Sequence, residues 1–211
     1  MAKKIMFSDK YGLTQAVLEG RKTMTRRIIK LPDGTEGIYD WTLSDHPAPL
    51  VSIRTKDGKL HNRFPVYQVG EEVAIAQSYK SIHEEMMNGD YGDSRYDAFR
   101  SAMVAGTQGW HNKMFVRADL MPHAIRITDI MVERLQDITV MESLREGIRS
   151  YDYADKTVYY YPYKNQPTEK RLEWCFETAR DAFHFLINKI CGEGTWGRNP
   201  WVFAYSFELV R

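Results

Sequence analysis

Apolar residues recur along the chain at two periods, and each period marks a type of element. At period two, Trp201, Phe203, Tyr205, Phe207 and Leu209 alternate with smaller or polar residues, which predicts a closing strand. Residues 124–135 alternate as well, but Ile125 and Ile127 lie in one phase and Ile130 and Val132 in the other. One extra residue near Thr128 or Asp129 accounts for the change, so a β-bulge is expected there. Shorter strands are read at residues 4–7, 23–29 and 72–77, the last after a turn at Gly70. Residues 50–55 and 59–64 flank Asp57-Gly58, a strong hairpin signal. At the helical period, Ala179, Ala182, Phe183, Leu186, Ile187 and Ile190 share one face of a helix read over residues 173–191. Leu13, Ala16 and Val17 mark an earlier helix, capped by Ser8 or Asp9 and ending near Glu19, with Gly20 at the position that favours a left-handed conformation.

A third helix is short. Thr139 and Glu142 have capping-box spacing, so each side chain can serve the other residue's free amide. Gly147 stops this helix and leaves Glu146 in its last turn. A carboxylate there faces the negative end of the helix dipole, so a compensating cation is expected beside it. Three stretches read as elaborations, at about residues 31–67, 79–113 and 151–166. The second is polar, with a helical patch around residues 96–104, and reads as an insertion or lid. The third holds six tyrosines and reads as irregular, although an exposed interface or a strand also fits it. No internal repeat or flexible linker divides the chain, so residues 1–211 are read as one domain. Adjacent βαβ units with glycine-rich phosphate loops are missing, which argues against a dinucleotide-binding sheet. The expected class is α+β, a mixed sheet curled into a small barrel with helices at its ends.

Composition narrows the function. The 211 residues are 43% hydrophobic and 27% charged, enough for a core and against general disorder. With 29 basic and 28 acidic residues the net charge is +1, so anion binding must come from local clustering. Cys175 and Cys191 form neither a disulfide framework nor a zinc motif, which suits reduced thiols in the cytoplasm. The six histidines lack metal-ligand spacing, and no P-loop is present, so no metal or cofactor is expected. The start is basic without the apolar run of a signal peptide, and no apolar stretch is long enough for a bilayer, so no membrane partner is expected.

The densest basic cluster is GRKTMTRRIIK, residues 20–30, with Arg21, Lys22, Arg26, Arg27 and Lys30 and no acid. Strand alternation puts Thr23, Thr25 and Arg27 on one face and Met24, Arg26 and Ile28 on the other. Such a stretch serves as a solvated face, as a phosphate contact, or as a reacting group. A threonine hydroxyl needs a base to attack, and a lysine neutralised by burial or by neighbouring cations supplies one.

GRKTMTRR resembles the G-x-K-x-x-[ET]-x-R signature of the ASCH domain, a relative of the PUA RNA-binding fold, through Gly20, Lys22, Thr25 and Arg27. VGEEVAIAQSY, ITVMESLREGI and NPWVFAYSFELV resemble further blocks of that family in the same order, and the style is that of phage and prophage members. The resemblance implies a PUA-like mixed β-barrel of the ASCH type. The threonine form of the motif is similar to small bacterial hydrolases of N(4)-acetylcytidine, which implies Lys22, Thr25 and Glu146 as a catalytic set. These hydrolases are much shorter chains, without the three elaborations. The expected function is recognition of RNA or a modified nucleoside in a basic cleft. Arg21, Arg26, Arg27 and Lys30 would serve as binding groups, and Trp110, Tyr79 or Trp196 as stacking platforms. Amide hydrolysis of an acylated nucleoside is the enzymatic alternative, and a phage accessory protein without chemistry is the third.

Overall fold

The computed structural model describes residues 3–31, 35–42, 49–56, 58–88, 97, 99–100, 108–153, 156–160 and 175–210. It is α+β, with five α-helices among the described residues. The main sheet has five strands: β1 (Lys4–Ile5), β2 (Met24–Ile28), β6 (Glu72–Ile75), β7 (Ala124–Arg134) and β10 (Trp201–Val210). They lie in the order β1-β6-β7-β10-β2, with only β1 and β6 parallel. β10 lies between β7 and β2 and is buried from Val202 through Phe207, so both faces of this strand are covered. The bulge in β7 falls at Thr128: Ser206 pairs with Asp129 and Phe207 with Ile127, which leaves Thr128 unmatched.

β1 and β2 are the two edges, and α1 (Leu13–Leu18) connects them. The edges approach, because the Arg27 guanidinium of β2 donates to the Met6 carbonyl just past β1 at 2.7 Å. No sheet among the described residues closes into a barrel. Two smaller sheets stand apart: β3 (Thr35–Thr42), β4 (Leu50–Thr55) and β5 (Leu60–Arg63), and a ribbon of β8 (Arg149–Tyr153) with β9 (Lys156–Tyr160). The β4–β5 hairpin occurs where expected, with Gly58 at φ 79°.

The main core lies between the sheet, α1 and α4 (Ala179–Cys191), where Ala179, Ala182, Phe183, Leu186 and Ile187 are buried. Several expectations are corrected. α1 starts at Leu13 behind a left-handed Gly12 with no side-chain cap, because Ser8 to Gly12 form turns instead. α4 begins at Ala179 on the Thr178 cap, since the Thr178 hydroxyl accepts from the Asp181 amide and ends the extended approach. Ile190 of its stripe is 42% exposed. The stretch from residue 79 begins with α2 (Tyr79–Asn88), whose Tyr79, Ile82 and Met86 join Phe99 and Val116 in a second small core. Of the expected helical patch at 96–104, only residues 97, 99 and 100 are described, and they are helical. The tyrosine-rich stretch forms the β8–β9 ribbon through residue 160, and its remainder lies outside the described residues.

Candidate active site

The turn from α1 into β2 places the central lysine. Gly20 adopts φ 71°, and the amides of Arg21 and Lys22 both donate to the Ala16 carbonyl, at 2.9 and 2.8 Å. α3 (Val140–Arg145) is fastened to the start of β2. The Thr23 amide donates to the Arg145 carbonyl at 2.9 Å, while the Arg145 side chain donates to the hydroxyls of Thr23 and Ser206. The expected capping box is present: the Thr139 hydroxyl accepts from the Glu142 amide, and the Glu142 carboxylate accepts from the Thr139 amide. At the other end Gly147 turns with φ 105°, and a Cβ there would sit 3.1 Å from Leu13 Cδ2. Glycine adopts this φ without strain, and any Cβ would need Leu13 to give way.

This docking brings Glu146 onto Lys22. Lys22 Nζ donates to the Met24 carbonyl and the Glu146 carbonyl at 2.7 Å each, and to Glu146 Oε2 at 2.5 Å. The cation expected at the end of α3 is therefore Lys22, and its three N–H groups are all engaged. Both side chains are almost fully buried, Lys22 at 2% and Glu146 at 6% exposure. Burial holds the Lys22 ammonium below the ordinary lysine range; Glu146 works against this shift, and Arg27 and Arg26 reinforce it.

Arg26 binds the opposite side of Glu146. Its guanidinium lies 2.6 Å from Glu133 Oε1, 3.2 Å from Glu142 Oε2 and 3.3 Å from Glu146 Oε1. Burial raises the Glu133 carboxyl, with Arg26 opposing. Burial also acts to raise Glu142, but the Thr139 amide and hydroxyl and Arg26 outweigh it and hold that carboxyl low. Arg26, expected as a ligand contact, is thus committed to three carboxylates inside the protein.

A cavity of about 290 Å³ opens beside this cluster. Lys22, Thr25, Arg26, Arg27 and Glu146 line one wall; Phe183, Leu186, Ile187 and Ile190 of α4 contribute an apolar wall. The Thr25 hydroxyl makes no hydrogen bond to a described residue, although Thr25 is only 5% exposed. Arg27 lies over the Phe7 ring, 5.8 Å from its centroid, and its buried Nε has no hydrogen-bond partner.

The structure thus gathers Lys22, Thr25, Arg26, Arg27 and Glu146, and leaves Arg21 and Lys30 outside. Arg21 pairs with Glu19 at 2.5 Å, and Lys30 is exposed beyond the end of β2. The three aromatics considered for stacking do not line the cavity. Tyr79 is buried and accepts from the Arg117 amide, Trp110 packs against His83, and Trp196 stacks on His184. The sequence reading also missed Arg145 as the fastening between α3 and β2, and α4 as the apolar wall. The stripe on α4 was visible, but not what it faced. Among the described residues no group of side chains could hold a metal ion, and no helix is long and apolar enough to cross a membrane. Comparison with known proteins finds no matching family model, no matching curated protein and no matching solved structure.

Proposed function

We propose that the protein binds a modified nucleoside in the cavity beside β2 and hydrolyses an acyl amide on it, in the manner of the ASCH-type hydrolases that its motifs resemble. One observation carries this reading. Lys22, Thr25 and Glu146, drawn from two distant segments, meet at one cavity, with the lysine buried and its ammonium disfavoured. The family reading draws further support from the approach of the sheet's edge strands through Arg27 and Met6, the edges that a PUA-like barrel would bring together. The cavity size favours a single nucleoside over a length of RNA backbone.

Thr25 supplies the nucleophile, or positions a water in its place. As the hydroxyl attacks the acyl carbon, its proton passes to neutral Lys22. Burial favours that neutral form, and the 2.5 Å hydrogen bond to Glu146 holds the amine in place. In the resting arrangement all three Lys22 N–H groups face protein acceptors, so one contact must yield when substrate enters. The proton then goes to the leaving amine. Water cleaves the threonine ester, releases the acid and restores Thr25. Arg27, whose side chain lines the cavity, is the group placed to meet the polar edge of the base.

The test is incubation with N(4)-acetylcytidine, following cytidine by chromatography, for the native protein and Thr25→Ala, Lys22→Ala and Glu146→Ala. Turnover falls by about 10²-fold or more in each variant that keeps its fold by circular dichroism. The native rate rises with pH through an inflection below the ordinary lysine value of 10.5. Unchanged turnover in Thr25→Ala would overturn the assignment.

A further inference from the structure

A second cavity, of about 300 Å³, lies on the other side of α1, bounded by the start of α2 and the first residue of β8. Lys22, Thr25 and Glu146 do not line it. Arg21, Arg149 and Gln77 do. The two guanidinium groups converge on one oxygen, Glu19 Oε2, at 2.5 Å from Arg21 and 3.4 Å from Arg149. Arg21, with help from Gln15, holds Glu19 below the usual carboxylate range, so this carboxylate is charged and two cations share it. The acid that does line the wall, Asp9, is already matched by Lys113 at 2.8 Å. The two arginines thus share a single carboxylate, while Glu85 is held by Gln77 and His123.

Three polar atoms here are shut from solvent and have no protein partner: Arg21 Nη1, Arg149 Nε and Gln77 Oε1. Gln77 is 6% exposed. Its amide orientation is set by Glu85, because a carboxylate only accepts and Gln77 Nε2 donates to it at 3.1 Å. The carbonyl end must then be the orphan. A buried acceptor left unpaired is costly, and a ligand that donates to it relieves the cost.

We propose that this cavity is a second binding site, for a small organic phosphate whose phosphoryl group binds Arg21 and Arg149 and whose hydroxyl or amino group donates to Gln77. Arginine forks match phosphoryl oxygens in paired geometry, and a phosphoryl group offers enough oxygens for two forks at once. Glu19 holds the forks in place in the free protein. It is partly exposed and its ion pairs are of the weak surface kind, so it yields to a doubly charged ligand.

The experiment is calorimetric titration of the full chain with ribose 5-phosphate, inorganic phosphate and ribose. Ribose 5-phosphate binds saturably and more tightly than inorganic phosphate, and ribose does not bind. Arg149→Gln and Arg21→Gln each weaken ribose 5-phosphate at least tenfold. Gln77→Leu weakens ribose 5-phosphate but leaves inorganic phosphate unchanged, a split that a general loss of fold would not produce. Thr25→Ala leaves all of this binding intact, so the result is independent of whether the protein is a hydrolase. No saturable binding up to about 10 mM overturns the proposal. So does binding that the two arginine variants leave unchanged, or inorganic phosphate binding as tightly as the sugar phosphate.

Discussion

At the residue scale, the centre of the molecule is an ammonium group in a place that disfavours ammonium groups. Lys22 tolerates burial because three acceptors surround it and one is the charged Glu146. Removing one partner strands the other, which typically costs about 3–5 kcal/mol. Lys22→Met is therefore expected to lose stability on this order in urea denaturation, softened by the contact Glu146 keeps with Arg26. A loss below about 1 kcal/mol would mean that water, not Lys22, satisfies Glu146. Half of this pair is legible in the sequence. A carboxylate in the last turn of a helix needs a cation, and the dense basic stretch offers several. Which cation answers is not legible from that argument, since Lys22, Arg26 and Arg27 are close in sequence. The turn at Gly20 and the docking of α3 decide it. Arg26 shows the limit most clearly: its partner Glu133 lies on β7, two strands away across β10, and only the strand order joins them.

At the scale of elements, α3 works as a short clamp that presents Glu146 to β2. Its start is written in the Thr139–Glu142 box, and its end depends on Gly147. Alanine there must adopt φ near 105° and push its Cβ toward Leu13. Strain of this kind costs about 1–3 kcal/mol. Gly147→Ala should lower the thermal midpoint accordingly and reduce turnover of N(4)-acetylcytidine, because the Glu146 carbonyl and carboxylate shift together away from Lys22. Equal activity at equal stability would show that the clamp geometry is slack. The elements with clear periods were legible: β10, the bulge in β7, the capping box and the stripe of α4. The β8–β9 ribbon was legible only as an alternative, because Tyr159 and Tyr160 on successive positions erase the alternation in β9, although Tyr151 and Tyr153 keep it in β8. α2 was missed for the opposite reason. Its buried positions, Tyr79, Ile82 and Met86, are too few among polar neighbours to stand out, and they form a satellite core rather than join the main one.

At the scale of the whole molecule, the basic cluster does not act as one surface. Arg26 faces inward to carboxylates, Arg21 turns to Glu19, Arg27 lies along the cavity, and Lys30 faces solvent. With a net charge of +1, little field is left to gather a polyanion. A protein that reads RNA through phosphates releases counterions, and its affinity falls by orders of magnitude between about 50 and 200 mM salt. A protein that takes a neutral nucleoside into a mixed polar and apolar cavity releases none. The affinity for N(4)-acetylcytidine is therefore expected to stay within about twofold over that range, with Thr25→Ala used so that binding is measured without turnover. A single-stranded RNA titrated in parallel is expected to bind weakly and to be lost at the higher salt. A steep salt dependence for both would mean that the cations at β2 act together on phosphate, and would return the cavity to the role of a base pocket within an RNA site.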